Sequence, residues 1–230
     1  MRFAPTCAVL LLALLAAGWA ASASAELVLS QAVVDLGPDE PARENIELFN
    51  SGTDRLYVAA DPFEIRNPGA ADQQRTPAAN PQEAGLLVTP QRLILEPGER
   101  RLVRIAAVAP RPASDRVYRV TIRPVAGEVS ANADALKVFV GYDVLVIYRP
   151  SAVTGALAAH REGGRLVIEN RSNTSQELFD GRQCDGTGGE CRALTGSRLY
   201  PGRQWEQMLP YAGPVTYQVA IGDRISRVQF

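Results

Sequence analysis

Along most of this chain apolar residues recur at every second position in short runs, and clusters of Gly, Pro, Asn, Asp and Ser interrupt them about every ten residues. A period of two belongs to pleated strands that bury one face, whereas a long amphipathic helix would repeat at 3.6. No stretch carries the helical period. The first run, Leu27 to Leu36, ends at Gly37-Pro38-Asp39-Glu40. Asn45 to Phe49 sets Ile46 and Leu48 against charged neighbours, and Ser51-Gly52-Thr53-Asp54 turns it toward Leu56 to Ala60. Asn67 to Ala84 has no apolar period and reads as a long loop or a loosely held edge. Leu86 to Val88, Leu93 to Leu95 and Arg101 to Val108 form a further strand series, closed by Ala109-Pro110-Arg111-Pro112 because prolines remove ladder donors.

Val117 to Val125 alternates cleanly, and Ala135 to Tyr148 is the most unusual run of all. Its even positions, Leu136, Val138, Val140, Tyr142, Val144, Val146 and Tyr148, are apolar throughout, and the odd ones include Phe139, Leu145 and Ile147. That predicts a strand well beyond the usual length of about five or six residues. Arg149-Pro150 stops it, and Ser151 to Gly155 can serve as a linker. After the linker the same grammar repeats on a smaller scale. A hairpin is signalled at Glu162-Gly163-Gly164, strands at Leu166 to Glu169 and Arg198 to Tyr200, and a turn at Pro201-Gly202, with Trp205, Leu209, Tyr217, Val219 and Ile221 as core. The expected organisation is two β-sandwich domains, residues 26–150 and 151–230.

The leader changes the compartment. Met1-Arg2, the apolar run Ala8 to Ala17 and Ala23-Ser24-Ala25 fit a signal peptide over residues 1–25, cleaved after Ala25. The run is too short for a permanent membrane anchor, so no membrane insertion is expected. An exported chain that keeps Cys184 and Cys191 after losing Cys7 is expected to pair them in one disulfide around a Gly-rich loop. Two thiols without a neighbouring His or second Cys pair fall short of four zinc ligands, so no metal or other cofactor is expected.

The 230 residues carry a net charge of −1, and Lys137 is the only lysine among 24 cationic residues, so no excess of positive charge points to nucleic acid. Catalysis is not indicated either. The only histidine, His160, lies beside a hairpin turn, and Asp61, Glu64 and Asp143 are scattered along strands, so neither a nucleophile with its base nor a carboxylate pair can be assembled from sequence order.

Two motifs carry a resemblance. Leu87-Val88-Thr89-Pro90-Gln91-Arg92-Leu93-Ile94-Leu95-Glu96-Pro97-Gly98-Glu99-Arg100-Arg101-Leu102-Val103-Arg104-Ile105 resembles the first-domain pattern of the PapD-like pilus chaperones, with a proline-bearing strand, an L-x-P-G turn and a V-R-I strand. Val144-Leu145-Val146-Ile147-Tyr148-Arg149-Pro150 is similar to that family's long strand, which ends in Tyr-Arg-Pro at the domain junction. The resemblance implies an all-β fold of two immunoglobulin-like β-sandwich domains in tandem, in the periplasm, without enzymatic activity. It implies donor-strand complementation of pilus or fimbrial subunits, delivery to an outer-membrane usher, and self-association through the donor strand when no client is present. In physical terms this is strand addition to an open sheet edge.

The matching places the donor stripe on Leu136, Val138 and Val140 and the domain junction on Tyr148, Arg149 and Pro150, with Arg149 expected in an interdomain ion pair. One departure stands out. Family members hold the subunit's C-terminal carboxylate with an Arg near the first strand and a Lys near the end of the long strand, and those positions are Gln31 and Leu145 here. A cleft arginine is expected to substitute, with Arg104 and Arg119 as candidates, because guanidinium grips a carboxylate bidentately. The alternative from another class is a secreted structural or adhesive module whose long strand pairs inside its own sandwich.

Overall fold

The computed structural model describes residues 26–125, 139–186 and 189–230. Residues 1–25 and 126–138, the latter including Leu136 and Val138, lie outside the described residues.

The first sandwich is built from ten strands: β1 Leu27–Leu29, β2 Val33–Leu36, β3 Arg43–Asn50, β4 Leu56–Arg66, β5 Gln74–Pro77, β6 Leu86–Thr89, β7 Arg92–Leu95, β8 Arg100–Ala107, β9 Arg116–Val125 and β10 Tyr142–Tyr148. A short helix, α1 Pro81–Ala84, lies between β5 and β6. One sheet runs β1-β3-β8-β6, and the other β2-β10-β9-β4-β5 with β7 also on β4. Their facing sides alternate as the pattern requires, and Leu48, Val103, Ile105, Val120, Ile122, Val144 and Val146 close one core between them.

The second sandwich holds β11 Leu157–Glu162, β12 Arg165–Asn170, β13 Gln176–Cys184, β14 Cys191–Leu194, β15 Ser197–Leu199, β16 Gln204–Met208, β17 Val215–Ile221 and β18 Arg224–Gln229. A three-stranded sheet, β11-β12-β16, faces a sheet ordered β14-β13-β17-β18, with β15 on β13. Leu166, Ile168, Leu178, Tyr217 and Val219 form its core. Trp205 and Phe230 pack edge-on against the Tyr217 ring, at centroid distances of 6.0 and 6.4 Å.

The two sandwiches share one corner device. Asn50 and Asn170 are fully buried at the ends of β3 and β12. The Asn50 amide donates to the Asp54 and Leu95 carbonyls at 2.7 and 3.0 Å, and the Asn170 amide donates to those of Thr174 and Leu199 at 2.9 and 2.8 Å. Each asparagine's main-chain oxygen accepts the N–H of a Pro-Gly glycine, Gly98 at 2.9 Å and Gly202 at 2.8 Å. Both glycines have left-handed φ, 75° and 70°, which side chains disfavour. The L-x-P-G turn of the first half therefore has a counterpart in Leu199-Tyr200-Pro201-Gly202.

Three expectations need correction. Leu27 to Leu36 is two strands in different sheets: Ser30 ends the pairing with β3, its N–H donating to Glu47 at 3.0 Å, and the Ala32 carbonyl then takes the Leu145 N–H at 3.0 Å to begin the pairing of β2 with β10. Asn67 to Ala84 contains β5, exposed along its length but paired to β4, and α1, whose N-cap Asn80 accepts the Gln82 N–H at 3.1 Å. In the long run, described strand structure begins only at Tyr142, and Phe139, Val140 and Gly141 carry no ladder pairing.

Candidate functional site

Strand β10 is paired along its full length to β9 on one side, from Tyr142 opposite Ile122 to Tyr148 opposite Arg116. On its other side β2 begins only at Leu145, opposite Val33. Tyr142 to Val144 therefore present main-chain groups along a sheet edge that no described strand covers, an arrangement that accepts a further strand. Immediately before it Val140 is 52 % exposed and Phe139 38 %. Val140 is the one member of the expected donor stripe among the described residues.

Directly opposed residues share a face, so the outer side of this sheet can be read row by row. Nearest the second sandwich, Ile147, Val117 and Ile65 form an apolar cluster with Leu145, and Tyr200 of the second sandwich packs on it. Burial raises the Tyr200 phenol above its ordinary range. Leu145 has therefore become part of an interdomain apolar contact, which explains why no cation stands there. The next row sets Leu145, Arg119 and Phe63 side by side. Arg119 is cross-strand neighbour to Leu145, about 35 % exposed, with Nη1 donating to the Asp143 carbonyl at 3.0 Å.

Arg104 is placed elsewhere. It alternates with buried Val103 and Ile105 on β8, points out of the opposite sheet and donates to Asn45 at 3.0 Å, so it is not an arginine of the cleft. Gln31 lines a cleft of about 320 Å³ between the sandwiches, together with Val33, Asp35, Arg149, Val153 and Arg224.

At the junction Tyr148 is buried and donates to the Ala109 carbonyl at 3.0 Å, while Pro150 lines the cleft. Arg149 is only 3 % exposed. It holds Asp35 with Nε and Nη2 at 2.7 Å each and reaches across to the Ser175 carbonyl at 2.9 Å. Asp115, whose side chain is fully enclosed, accepts from the Ser175 N–H at 2.6 Å and the Thr174 hydroxyl at 2.8 Å, with Arg149 at 3.9 Å. Burial pushes the Asp115 carboxyl up, and the hydrogen bonds from Ser175 and Thr174 and the Arg149 charge pull it only part of the way back. Arg111 fastens the same corner by donating to the carbonyls of Leu36, Gly37, Glu40 and Arg149. Sequence order signalled Arg149 alone; Asp35, Asp115, Thr174, Tyr200 and Arg111 come from separate strands and loops, and nothing local marks them.

Farther from the junction the outer face is ionic. Asp143 accepts from Arg75 at 2.8 and 3.0 Å and from Thr121 at 2.9 Å. Partial burial raises its carboxyl, but the bonds from Arg75 and Thr121 and the charges of Arg75 and Arg119 together hold it below the usual carboxylate range. Asp61 bridges Arg92 at 2.8 Å and Arg123 at 3.4 Å, and Glu64 is taken by Arg116 at 2.6 Å. His160 is exposed and pairs with Glu162 at 3.0 Å. Cys184 and Cys191 form the expected disulfide at directly opposed positions of β13 and β14.

No protein-family model matches the chain. Among curated proteins, a CS1 fimbrial protein of Escherichia coli is 25 % identical over 174 residues, 71 % of this chain and 73 % of that protein. Among solved structures, the class 5 fimbriae chaperone CfaA superposes with a TM-score of 0.67 at 20 % identity, covering 89 % of this chain and 97 % of that one. A chain from the complex of the Salmonella enterica SafA pilin with the SafB chaperone gives 0.64 at 19 % identity, covering 91 % and 98 %. The chain thus has the two-sandwich β fold of the fimbrial chaperones.

Proposed function

We propose that this chain is a non-enzymatic periplasmic chaperone that binds fimbrial subunits by donor-strand complementation and delivers them to an outer-membrane usher. The observation that carries the reading is the open edge of β10 at Tyr142–Val144, which leads directly into exposed Val140 and Phe139. An incomplete subunit would pair its own edge with this one and receive Leu136, Val138 and Val140 in its pockets. Full burial of each at about 1.5–3 kcal/mol, offset in part by ordering, makes the stripe a strong anchor. Removal of residues 1–25 after Ala25 would accompany export. The superposition with chaperones over nearly the whole chain supports the same reading.

In this scheme Arg119 takes the subunit's C-terminal carboxylate. It stands beside Leu145, at the place where a lysine would otherwise reach, and needs only to turn from the Asp143 carbonyl. The test is co-purification from the periplasm with a fimbrial subunit expressed alongside, comparing the natural chain with a Leu136→Arg, Val138→Arg, Val140→Arg variant. Retention by the natural chain and loss by the folded variant is the expected result. Equal behaviour of the two sinks strand donation and leaves the structural-module reading.

A further inference from the structure

The outer face of the β10-bearing sheet changes character with distance from the junction. Its first rows are apolar and covered by Tyr200, and its last rows are a lattice of arginines. Arg75, Arg92, Arg119 and Arg123 share only two carboxylates, Asp61 and Asp143. The face therefore holds two positive charges in excess, in a chain whose total charge is −1.

We propose that this lattice recognises carboxylate side chains on the body of the bound subunit, so that the chain selects clients with an acidic surface beside the groove that receives its strand. The proposal rests on the chaperone reading and adds to it the charge of the client. Three observations carry it. Arg92, Arg123 and Arg75 remain 63, 50 and 39 % exposed while engaged, so their remaining N–H donors are open to a partner. The guanidinium groups are held in place: Arg75 lies 4.1 Å over the Phe63 ring, and Ala59, between Arg92 and Arg123 in the ladder, is 1 % exposed. Preorganised guanidinium groups lose little freedom when a carboxylate arrives.

The third observation ties the lattice to the open edge. A Cβ on Gly141 would lie 2.8 Å from the Arg123 Cβ, so a glycine at that point of the chain lets Arg123 lie against the start of β10. A subunit strand added along Tyr142–Val144 would therefore bring its neighbouring surface over Arg123 and then Asp61 and Arg92. Charges at such a rim act mainly on association and on its salt dependence.

The experiment uses the full chain and a fimbrial subunit co-expressed with it, with association and dissociation followed at about 0.05 and 0.4 M NaCl, where screening differs strongly. Arg92→Glu with Arg123→Glu is compared with the natural chain and with Arg101→Glu, on the opposite sheet, as control. Arg92→Gln with Arg123→Gln serves as a second variant should charge reversal disturb the fold, with Trp205 fluorescence reporting the native state. The expected result is about tenfold slower association of the double variant at low salt, convergence with the natural chain at high salt, and no change in the control. Equal rates in natural chain and variant at both salts overturn the acidic-client proposal and leave strand donation standing. Failure of the natural chain to hold any subunit overturns both.

Discussion

Replacing Arg149 with Met keeps the length of the side chain and removes the charge that ties the two sandwiches. The guanidinium compensates Asp35, three-quarters buried, and Asp115, fully enclosed, and it also donates to the Ser175 carbonyl. Breaking a buried pair from one side leaves an uncompensated charge, at a cost of about 3–5 kcal/mol. For a chain of this size that is a fall of about 10 °C in Tm. Trp205, the only tryptophan beyond residues 1–25, reports the second sandwich by fluorescence, and far-UV circular dichroism reports both. The pH dependence has a definite sign. Burial already holds the Asp115 carboxyl above its unfolded value, and losing Arg149 raises it further. Between the unfolded and folded values the native state binds more protons, so stability rises as pH falls through that window. The deficit of the Arg149→Met variant is therefore largest near neutrality and shrinks toward about pH 4. Adding Asp35→Asn and Asp115→Asn should recover most of the loss. A deficit under about 1 kcal/mol, or one that grows with acidity, would refute the account.

Asp143 behaves in the opposite sense. Its carboxyl is held low, so its contribution is present above the unfolded value and lost as pH falls through the folded one, and Asp143→Asn should flatten acid unfolding by at most about 1 kcal/mol because the pair is half exposed. Gly181→Ala would set a Cβ 2.2 Å from the Tyr217 ring and should cost about 1–3 kcal/mol in urea unfolding, with Tyr217→Leu in the same chain returning part of it. Reducing Cys184–Cys191, or replacing both by Ser, opens a short hairpin ring and should lower the stability of the second sandwich by about 2.5 kcal/mol, without effect on subunit retention. Asn50→Ala strips two buried carbonyls of their donor and should cost about 3 kcal/mol by thermal melting, with Asn170→Ala matching it in the second sandwich.

The alternation of Val117 to Val125 and the Tyr-Arg-Pro stop of β10 were legible because each is a local matter: a pleat puts alternate side chains on alternate faces, and proline ends a ladder. The switch of Leu27–Leu36 between sheets was not, since the apolar period passes through Ser30 unbroken and only the Glu47 and Leu145 partners, distant in sequence, reveal the change. The corner asparagines were within reach. Asn50 and Asn170 each precede an L-x-P-G turn, and reading the second turn against the first would have exposed the kinship of the two halves. The candidate site divides the same way. Leu145 was visible as a missing lysine, but its partner Tyr200 comes from the other sandwich, and the placement of Arg104 and Arg119 on opposite sheets depends on which strands pair.

That pairing also gives the loss of the lysine its physical sense. A lysine at position 145 would have to leave its ammonium beside Val117, Ile147 and Tyr200, where desolvation disfavours the charge. Leucine instead adds apolar area to the contact between sandwiches, and a cation one strand away at Arg119 can still face the cleft, because its longer side chain carries the charge clear of the apolar rows. Exchanging the two residues, Leu145→Arg with Arg119→Leu, should therefore weaken the interdomain contact through the buried charge even though the composition of the face is unchanged. Equal stability of the exchanged and natural chains would mean that the apolar cluster around Tyr200 contributes nothing to holding the sandwiches together.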